Sequence, residues 1–234
     1  MKKPKNWGQI KGGLNSPGNT KEIKIPKKDE KLAEFIGIAL GDGNIHSYIK
    51  SKKIRNYSIR IAGDSRHDYE YLTKYVSKLS QGLFSLEPKF HYRTGTNCMY
   101  LSLYGLKLVQ YFSELGLKPG NKIKNKLTIP DWVWKKDSYL KACIRGLYDT
   151  DGSVYELLPH WPGLFQIYFS NKNLTLLRDV RKALIKLGFK VSKISGLKKD
   201  ATPKIYITRK EEVQKFYKTI GFKNQKHFKK FGQR

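Results

Sequence analysis

The 234-residue chain is short of acidic residues, with 19 Asp and Glu against 47 Lys and Arg, which gives a formal net charge of +28 at pH 7. An excess of this size is typical of proteins that bind a polyanion such as nucleic acid. Cysteine is also scarce, since Cys98 and Cys143 are the only two and no CxxC pair occurs. This excludes a disulfide scaffold and a cysteine zinc site, and we expect two buried thiols in a reducing compartment.

Long hydrophobic runs are missing as well. No stretch of about 18 apolar residues occurs, so no transmembrane helix is expected. The basic N-terminus lacks the apolar segment of a signal peptide. We therefore expect an intracellular protein, in a microbial cytoplasm or an organelle, and the 39% of hydrophobic residues are enough for a core.

One nine-residue motif occurs twice in the chain. Phe35–Gly43 reads FIGIALGDG and Ile144–Gly152 reads IRGLYDTDG, and without gaps both have Gly third, Asp eighth and Gly ninth. The two aspartates, Asp42 and Asp151, are 109 positions apart (151 − 42). Each motif predicts a helix that ends at a carboxylate, with the following glycine as its stop signal.

The first glycines of the two motifs, Gly37 and Gly146, predict that the helices pack side by side. Glycine inside a helix costs roughly 1 kcal/mol relative to alanine, and a close approach of two backbones would offset that cost. Parallel packing would bring Asp42 and Asp151 together, and such carboxylates repel unless cations lie between them. Their oxygens suit Mg²⁺ that also binds phosphate, which is an arrangement for phosphodiester cleavage.

The repeated motif resembles the signature of the LAGLIDADG homing endonucleases in their monomeric two-repeat form. The resemblance covers roughly residues 25–234 and includes the repeat length and the segments after each motif. It implies a monomer with internal pseudo-twofold symmetry that binds double-stranded DNA at a long asymmetric site. It also implies cleavage of both strands across the minor groove with Mg²⁺ or Mn²⁺ as cofactor, and with Ca²⁺ bound but not supporting cleavage.

Hydrophobic periodicity predicts an α+β fold with the element order αββαββα in each half. We expect a basic N-terminal arm at residues 1–24, an N-terminal half at residues 25–126 and a C-terminal half at residues 127–234. The arm is either a DNA-contacting extension or a solvated tail. In the C-terminal half, strands are predicted at residues 165–169, 191–194 and 204–208, with a turn at residues 159–163.

Each half is expected to form an antiparallel sheet with helices on one face and polar residues at alternate positions on the other. Paired about a pseudo-twofold axis, the two polar faces would form a concave saddle, and a two-stranded β-ribbon fits the major groove. For any single basic residue, an edge charge that guards against aggregation is an equal alternative. The residues predicted to contact DNA are Asn44, His46, Tyr48, Lys50, Arg55, Arg60, Lys89, His91, Arg93, Gln166, Tyr168, Lys193 and Lys204.

The resemblance assigns Asp42 and Asp151 as the metal-binding residues, and it implies one lysine and one polar residue at each of two sites. The lysine position lies six residues after a glycine that ends a helix in each half. In the first half that glycine is Gly116, and the lysine is Lys122.

The second half departs from this pattern. The same count from Gly221 gives His227, with Lys226 beside it, so the identity of the second lysine is left open. The polar position falls on Asn171 in the second half, but no Gln or Asn lies near Gly63 in the first. The sites are therefore expected to be unequal. The predicted catalytic residues are Asp42, Asp151, Lys122, Lys226 and Asn171.

Three other interpretations follow from the same residues. An RNA maturase, or a DNA-binding relative that does not cut, would use the same fold. A generic basic RNA-binding protein, or two buried helices with capping aspartates, would not need the paired motif. Asp149 is a weaker candidate because its counterpart is Leu40. Since no terminal Cys or Ser and no His-Asn end occur, we expect an endonuclease of a mobile element rather than a self-splicing intein.

Overall fold

The computed structural model describes residues 21–51, 54–198 and 201–231, and for residues 48–51, 54–55 and 229–231 it describes the backbone alone. The first half follows the predicted order. A π-helical stretch at Tyr71–Val76 leads directly into its second helix. The elements are α1 (Glu30–Gly41), β1 (Gly43–Ser51), β2 (Ile54–Asp64), α2 (Ser77–Phe84), β3 (Lys89–Tyr92), β4 (Cys98–Tyr104) and α3 (Leu106–Glu114).

The second half begins after a 3-10 helix at Asp131–Lys135. Its elements are α4 (Asp137–Asp151), β5 (Gly152–Leu157), β6 (Trp161–Ser170), α5 (Leu174–Lys186), β7 (Lys204–Ile207), α6 (Lys210–Thr219) and α7 (Gln225–Phe231). Both sheets are antiparallel, with strand orders β1-β2-β4-β3 and β5-β6-β7. The predicted α+β class is confirmed.

The predicted strand at residues 191–194 is wrong, since the described second sheet has three strands. Ser195 still forms an antiparallel bridge with Lys204, and the Ser192 amide donates to the Tyr206 carbonyl. However, the Tyr206 amide donates to the Ser192 hydroxyl (3.0 Å) instead of a backbone carbonyl. The segment from Ser192 to Ser195 advances three residues, whereas the opposite segment of β7, from Tyr206 to Lys204, advances only two. The backbone hydrogen bonds therefore cannot continue in register. The turn predicted at 159–163 is also too long, because β6 starts at Trp161, and α7 was not predicted.

The two motif helices, α1 and α4, make the most extensive helix–helix contact of the described chain. A Cβ at Gly37 would lie 2.1 Å from the Cys143 carbonyl oxygen, and one at Gly146 would lie 2.3 Å from the Glu34 carbonyl oxygen. Each glycine thus faces the residue three positions before the other glycine. This reciprocity fits a pseudo-twofold axis between the helices. Gly41 and Thr150, each four residues beyond its motif glycine, also meet, which shows that the helices run parallel.

Polar side chains also join the motif helices. Glu34 of α1 is 3% exposed and forms an ion pair with Arg145 of α4. The Tyr75 hydroxyl donates to the same carboxylate at 2.5 Å, and Arg145 also donates to the Ile220 carbonyl at 3.3 Å. A buried carboxylate needs such partners because an unpaired charge in the interior is costly. The pair therefore fixes the register of α1 on α4.

Each half has an aromatic core behind its sheet. Phe35, Phe84 and Phe112 meet with ring centroids 5.2 to 5.9 Å apart in the first half. In the second half, Tyr148 packs on Phe169 and Phe216 at 5.3 and 4.8 Å. Cys143 is buried at the helix interface as expected, whereas Cys98 is only half-buried.

The beginning of the described chain lies along the first half. The Lys24 amide donates to the Phe84 carbonyl (3.1 Å), and Ile23 packs against the core. Most of the predicted arm, residues 1–20, lies outside the described residues. Among the helices that are described, none combines the length and apolar character needed to cross a membrane.

Replacing Gly37 or Gly146 with alanine should destabilise the protein, because the new methyl group would overlap a backbone carbonyl of the other helix. We expect a loss of about 1–3 kcal/mol in the free energy of unfolding, and more for leucine. Gly82 of α2 is the matched control, since a Cβ there meets nothing within 4 Å. Gly82→Ala should gain up to about 1 kcal/mol. Denaturant unfolding measures both, and a Gly37→Ala protein as stable as wild type would contradict the close contact.

Candidate active site and nucleic-acid interface

The two motif aspartates meet at the same end of the helix pair. Asp42 follows the last residue of α1, and Asp151 is the last residue of α4. Just before them, Gly41 and Thr150 occupy equivalent positions, and a Cβ on Gly41 would lie 1.9 Å from Thr150 Oγ1 and 3.6 Å from Asp151 Oδ2. The pseudo-twofold axis therefore passes between the residues that precede the two carboxylates.

This position is electrostatically unfavourable for two negative charges. Burial, followed by the charge of Asp151, raises the pKa of Asp42 to about 7. Burial also raises the pKa of Asp151, against the opposing effects of Lys122 and the hydrogen bond from Asn171. The C-terminal end of a helix adds further negative potential. The folded chain thus holds two carboxylates in a place where a cation is favoured.

Lys122 lies in the connection between the halves and reaches this point. Its ammonium donates to the carbonyl oxygen of Leu40 (3.0 Å) and to that of Gly41, at the end of α1. Burial lowers the pKa of Lys122, while Asp151 and Asp42 oppose that shift. The connection is fixed to the first sheet, because the Gly120 amide donates to the Ile45 carbonyl (3.0 Å).

The predicted polar residue of the second half is also in place. Asn171 follows β6, and its side-chain amide donates to Asp151 Oδ2 at 2.7 Å. The side-chain oxygen of Asn171, Oδ1, accepts a hydrogen bond from the Asn173 backbone amide (2.8 Å). This bond orients the Asn171 carboxamide. Gly63 occupies the corresponding point of β2 and offers no side chain, so the two sides of the site differ as expected.

The structure separates the two candidates for the second lysine. His227 is 1% exposed and its ring stacks on Phe222 at 4.5 Å, so it belongs to the core. The Lys226 ammonium pairs with Asp68 at 3.0 Å, and its charge opposes the pKa increases of Asp42 and Asp151.

Asp149, the weaker candidate of the second motif, points away from the carboxylate pair. It is fully buried and accepts the backbone amides of Lys223 (2.9 Å) and Asn224 (3.0 Å) just before α7. Burial raises its pKa to about 7, against those two hydrogen bonds. Asp149 therefore anchors the segment that carries Lys226. Sequence reasoning missed this role of Asp149 because it depends on a contact with a residue 75 positions away along the chain.

The donor set is suited to a hard divalent cation. Asp42 and Asp151 offer carboxylate oxygens, which Mg²⁺, Mn²⁺ and Ca²⁺ prefer, whereas the Asn171 oxygen and the Leu40 and Gly41 carbonyls already accept hydrogen bonds. Within the described ranges no group of three or more His, Cys, Asp or Glu side chains forms a complete metal cage. Two carboxylates without further protein ligands leave coordination positions for phosphate oxygens and water.

A cavity of about 410 Å³ connects Asp42 and Lys122 with the outer face of the first sheet, where Asn44, His46 and Arg60 lie. Asn44 pairs with Arg60, and Arg60 pairs with Ser102, across neighbouring strands. The carboxylates therefore open directly onto the predicted DNA-contacting surface.

The rest of that outer face is polar and aromatic. His91 Nε2 lies 3.0 Å from the Tyr104 hydroxyl, and Lys89 and His91 are exposed on β3, with Arg93 exposed just after it. The inner residues Ile59 and Ile61 are fully buried, which confirms the predicted alternation of β2. For Tyr48, Lys50 and Arg55 the structure describes only the backbone, in β1 and β2.

The second sheet presents a different outer face. The Tyr168 ring packs edge-on against Tyr155 (5.7 Å) and tilted against Tyr206 (6.2 Å), and the Lys204 ammonium lies 5.3 Å from the Tyr168 ring centroid. Gln166 accepts from the Tyr155 hydroxyl and donates to Thr208 Oγ1 at 2.6 Å. Sequence reasoning missed Tyr155 and Tyr206, although their alternate positions on β5 and β7 were a usable signal.

Lys193 is the predicted DNA contact that the structure does not group with the others. It lines a separate cavity of about 510 Å³ together with Arg178, Arg181 and Lys182. Those three residues belong to α5, so this surface is formed by a helix rather than by the outer face of the sheet.

Together these features define a class: a two-repeat α+β protein with a carboxylate pair on its pseudo-twofold axis and polar sheet faces beside it. Residues 138–221 match the family model of a LAGLIDADG-like domain. The first motif, Phe35–Gly43, lies outside the matched residues, and its helix packs against the matched segment through the reciprocal glycine contact. The predicted resemblance to the LAGLIDADG homing endonucleases is thereby confirmed in the motif and in the fold.

Solved structures extend the likeness to the whole fold. The crystal structure of I-DmoI in complex with DNA and Mn superposes with a TM-score of 0.60 at 19% identity, covering 82% of this chain and 96% of that one. I-DmoI is also known in complex with DNA and Ca. At this identity the likeness shows the fold alone.

Two curated proteins match in sequence. The replication factor C small subunit of Methanocaldococcus jannaschii is 26% identical over 209 residues, which is 86% of this chain and 10% of that protein. An A-type ATP synthase subunit of Pyrococcus abyssi is 30% identical over 134 residues, which is 56% of this chain and 12% of that protein. The chain thus spans about a tenth of the length of these relatives.

Replacing Asp42 with asparagine should stabilise the metal-free protein at neutral and higher pH. The ordinary pKa of 3.8 rises to about 7 on folding, so the folded state holds the proton more tightly and stability is lost as the pH rises from about 4 to about 7. Asparagine removes this loss. We expect a gain on the order of 1–4 kcal/mol above pH 7, at about 1.4 kcal/mol per pKa unit, and none near pH 4.

Urea unfolding from pH 4 to pH 8 in the presence of a chelator measures this difference. Glu87→Gln removes an exposed carboxylate of the same half and serves as the control. An Asp42→Asn protein whose stability follows that of wild type across the range would show that burial beside Asp151 does not raise the pKa of Asp42.

Proposed function

We propose that the protein is a site-specific endonuclease that cuts both strands of double-stranded DNA with a divalent metal cofactor. The observation that carries this proposal is the convergence of Asp42 and Asp151, with Lys122, Lys226 and Asn171, beside the polar faces of two sheets. A binding protein needs the sheet faces but has no use for two buried carboxylates that repel each other. Placing such charges together is typical of active sites.

The protein groups have separate roles in this proposal. Divalent cations held by Asp42 and Asp151 would neutralise the scissile phosphates and activate water. Asn171 orients Asp151 through its 2.7 Å hydrogen bond. Lys122 and Lys226 bring positive charge next to the phosphates, where negative charge develops during cleavage. Mg²⁺ is the proposed physiological ion, with Mn²⁺ as a substitute and Ca²⁺ binding without cleavage.

The two sheet faces support a long and asymmetric target. Asn44, His46 and Arg60 form part of the first face, whereas Tyr155, Gln166 and Tyr168 form part of the second. Different side chains at equivalent positions read different base edges, so the two half-sites would differ in sequence. A monomer with both halves in one chain provides this asymmetry without a second copy of the protein.

The sequence relatives support the proposal that this chain belongs to an element that is inserted into other genes. Stretches like this chain make up about a tenth of two proteins with unrelated names. That distribution suits a mobile unit whose endonuclease acts on DNA inside its host cell. An RNA maturase built on the same fold is the other candidate, and cleavage distinguishes the two.

The proposal is tested with a library of randomised DNA duplexes incubated with the protein and Mg²⁺, followed by capture and sequencing of the cut ends. We expect one enriched site, with breaks on both strands at a fixed offset. Binding to a selected site without any break, in Mg²⁺ or Mn²⁺, would contradict the nuclease and favour a non-cutting relative.

Asp42→Asn and Asp151→Asn should each abolish double-strand cleavage of the selected duplex while leaving its binding nearly unchanged. The carboxylates recruit the metal, whereas the sheet faces provide the affinity. Asp149→Asn is an informative comparison, because it alters a carboxylate of the same motif that does not face the site. Electrophoretic binding and cleavage assays measure both properties. If the Asp42→Asn, Asp151→Asn double variant still cuts both strands, the assignment fails.

Binding should depend steeply on salt because of the net charge of +28. If about 6–10 phosphates are contacted, the affinity should fall by roughly 10³–10⁵ between 50 and 200 mM salt. Removing residues 1–20 should lower the slope of log affinity against log salt by about 0.9 for each phosphate that the arm neutralises. Titrations on cognate and scrambled duplexes measure this, and an identical slope would identify the arm as a solvated tail.

A further inference from the structure

The two sides of the candidate active site are completed by different residues. On the second side, Asn171 donates to Asp151. On the first side its counterpart Gly63 has no side chain, and a Cβ there would lie 3.0 Å from the Cβ of Asp68 and 2.7 Å from Leu72 Cδ1. The space of the missing polar side chain is therefore occupied by Leu72 and by Asp68, which comes from the turn after β2.

Asp68 is fixed by three hydrogen-bond donors and is only 8% exposed. Its Oδ2 accepts from the Asp64 backbone amide at 2.9 Å, within its own turn. Its Oδ1 accepts from the Asn224 side-chain amide at 2.7 Å and from the Lys226 ammonium at 3.0 Å. Burial alone would raise the pKa of Asp68, but Lys226 and Asn224 outweigh it and the pKa is lowered.

These contacts join the halves of the chain. Asp68 belongs to the first half, whereas Asn224 and Lys226 belong to the segment before and within α7. Asn224 also donates to the Asp149 carbonyl at 3.1 Å, so the carboxylate, the carboxamide and the motif helix α4 form one connected unit. A lysine side chain has several rotatable bonds, and its ammonium stays in one place only when a partner holds it.

The two lysines are held in different ways. Lys122 is held by the carbonyl oxygens of Leu40 and Gly41 at the end of a helix. The side chain of Lys226 is 24% exposed, and a single carboxylate is its ion-pair partner among the described residues. The position of Lys226 beside Asp42 and Asp151 therefore depends on Asp68.

We propose that Asp68 is a positioning residue that holds the Lys226 ammonium next to Asp42, and that it makes cleavage of the two strands chemically unequal. This inference rests on the nuclease proposed above. Asp68 acts through Lys226 and not on the DNA itself. Loss of Asp68 should therefore slow the cut that depends on Lys226 and leave the cut served by Lys122 and Asn171 much less affected.

The first test does not require cleavage. In proton–nitrogen NMR of lysine ammonium groups, the Lys226 signal should be observed in the wild-type protein and lost or strongly broadened in Asp68→Asn. The Lys122 signal should stay in both. Asp64→Asn is the matched control, since it alters a carboxylate of the same turn that pairs with the exposed Arg66 (2.7 Å), and it should keep both signals. An unchanged Lys226 signal in Asp68→Asn would overturn the proposal.

The second test measures each strand separately on the selected duplex. Asp68→Asn should slow one strand cut by roughly 10- to 100-fold relative to the other, as expected for a displaced catalytic group. Adding Lys226→Met to Asp68→Asn should cause no further change, because both act through one ammonium. Equal loss on both strands, or additive effects, would contradict the proposal.

Lys226→Met alone keeps the test valid if Asp68→Asn does not fold. It leaves the hydrogen bonds of Asp68 to Asp64 and Asn224 in place, and the same strand inequality is expected. If the wild-type protein cuts no DNA, the nuclease proposal fails, while the NMR result still decides whether Asp68 positions Lys226.

Discussion

The close contact between two glycine-bearing helices is the constraint on which the rest of the structure depends. Gly37 and Gly146 allow the backbone of each helix to meet a carbonyl of the other, at distances that no side chain would allow. The residues that follow are therefore fixed along a common axis. Asp42 and Asp151 lie one position beyond the residues that meet on that axis, so the packing of the interior sets the separation of the carboxylates.

This arrangement lowers the stability of the metal-free protein in favour of function. Burial, followed by the charge of Asp151, raises the pKa of Asp42 to about 7, so holding both carboxylates ionised at the helix C-termini is unfavourable. Lys122, Lys226 and Asn171 offset part of this cost. In the proposed function, a divalent cation between the carboxylates would remove the rest of this cost. The ion pair of Glu34 and Arg145 helps to keep the helices in register against this repulsion.

The sequence predicted the motif helices, the duplication and the alternation of most strands, because these depend on local periodicity and on a repeat visible in one chain. Asp42, Asp151, Lys122 and Asn171 lie together, as the resemblance to the family implies. What the sequence could not provide are the interactions formed only after folding. The contact of Asp68 with Asn224 joins side chains of the two halves, 156 positions apart along the chain. Similarly, the edge strand at residues 191–194 is lost through one serine hydroxyl, which hydrophobic periodicity does not register.

The central claim is that the pseudo-twofold axis carries a divalent metal site. Anomalous diffraction at the manganese edge, from crystals of the protein with its selected duplex and Mn²⁺, tests it most directly. We expect anomalous density between the carboxylates of Asp42 and Asp151, adjacent to the backbone phosphates of both strands, and none in crystals of the Asp42→Asn, Asp151→Asn variant. Manganese bound elsewhere on the protein, with the two carboxylates contacting only Lys122 and Lys226, would contradict the account.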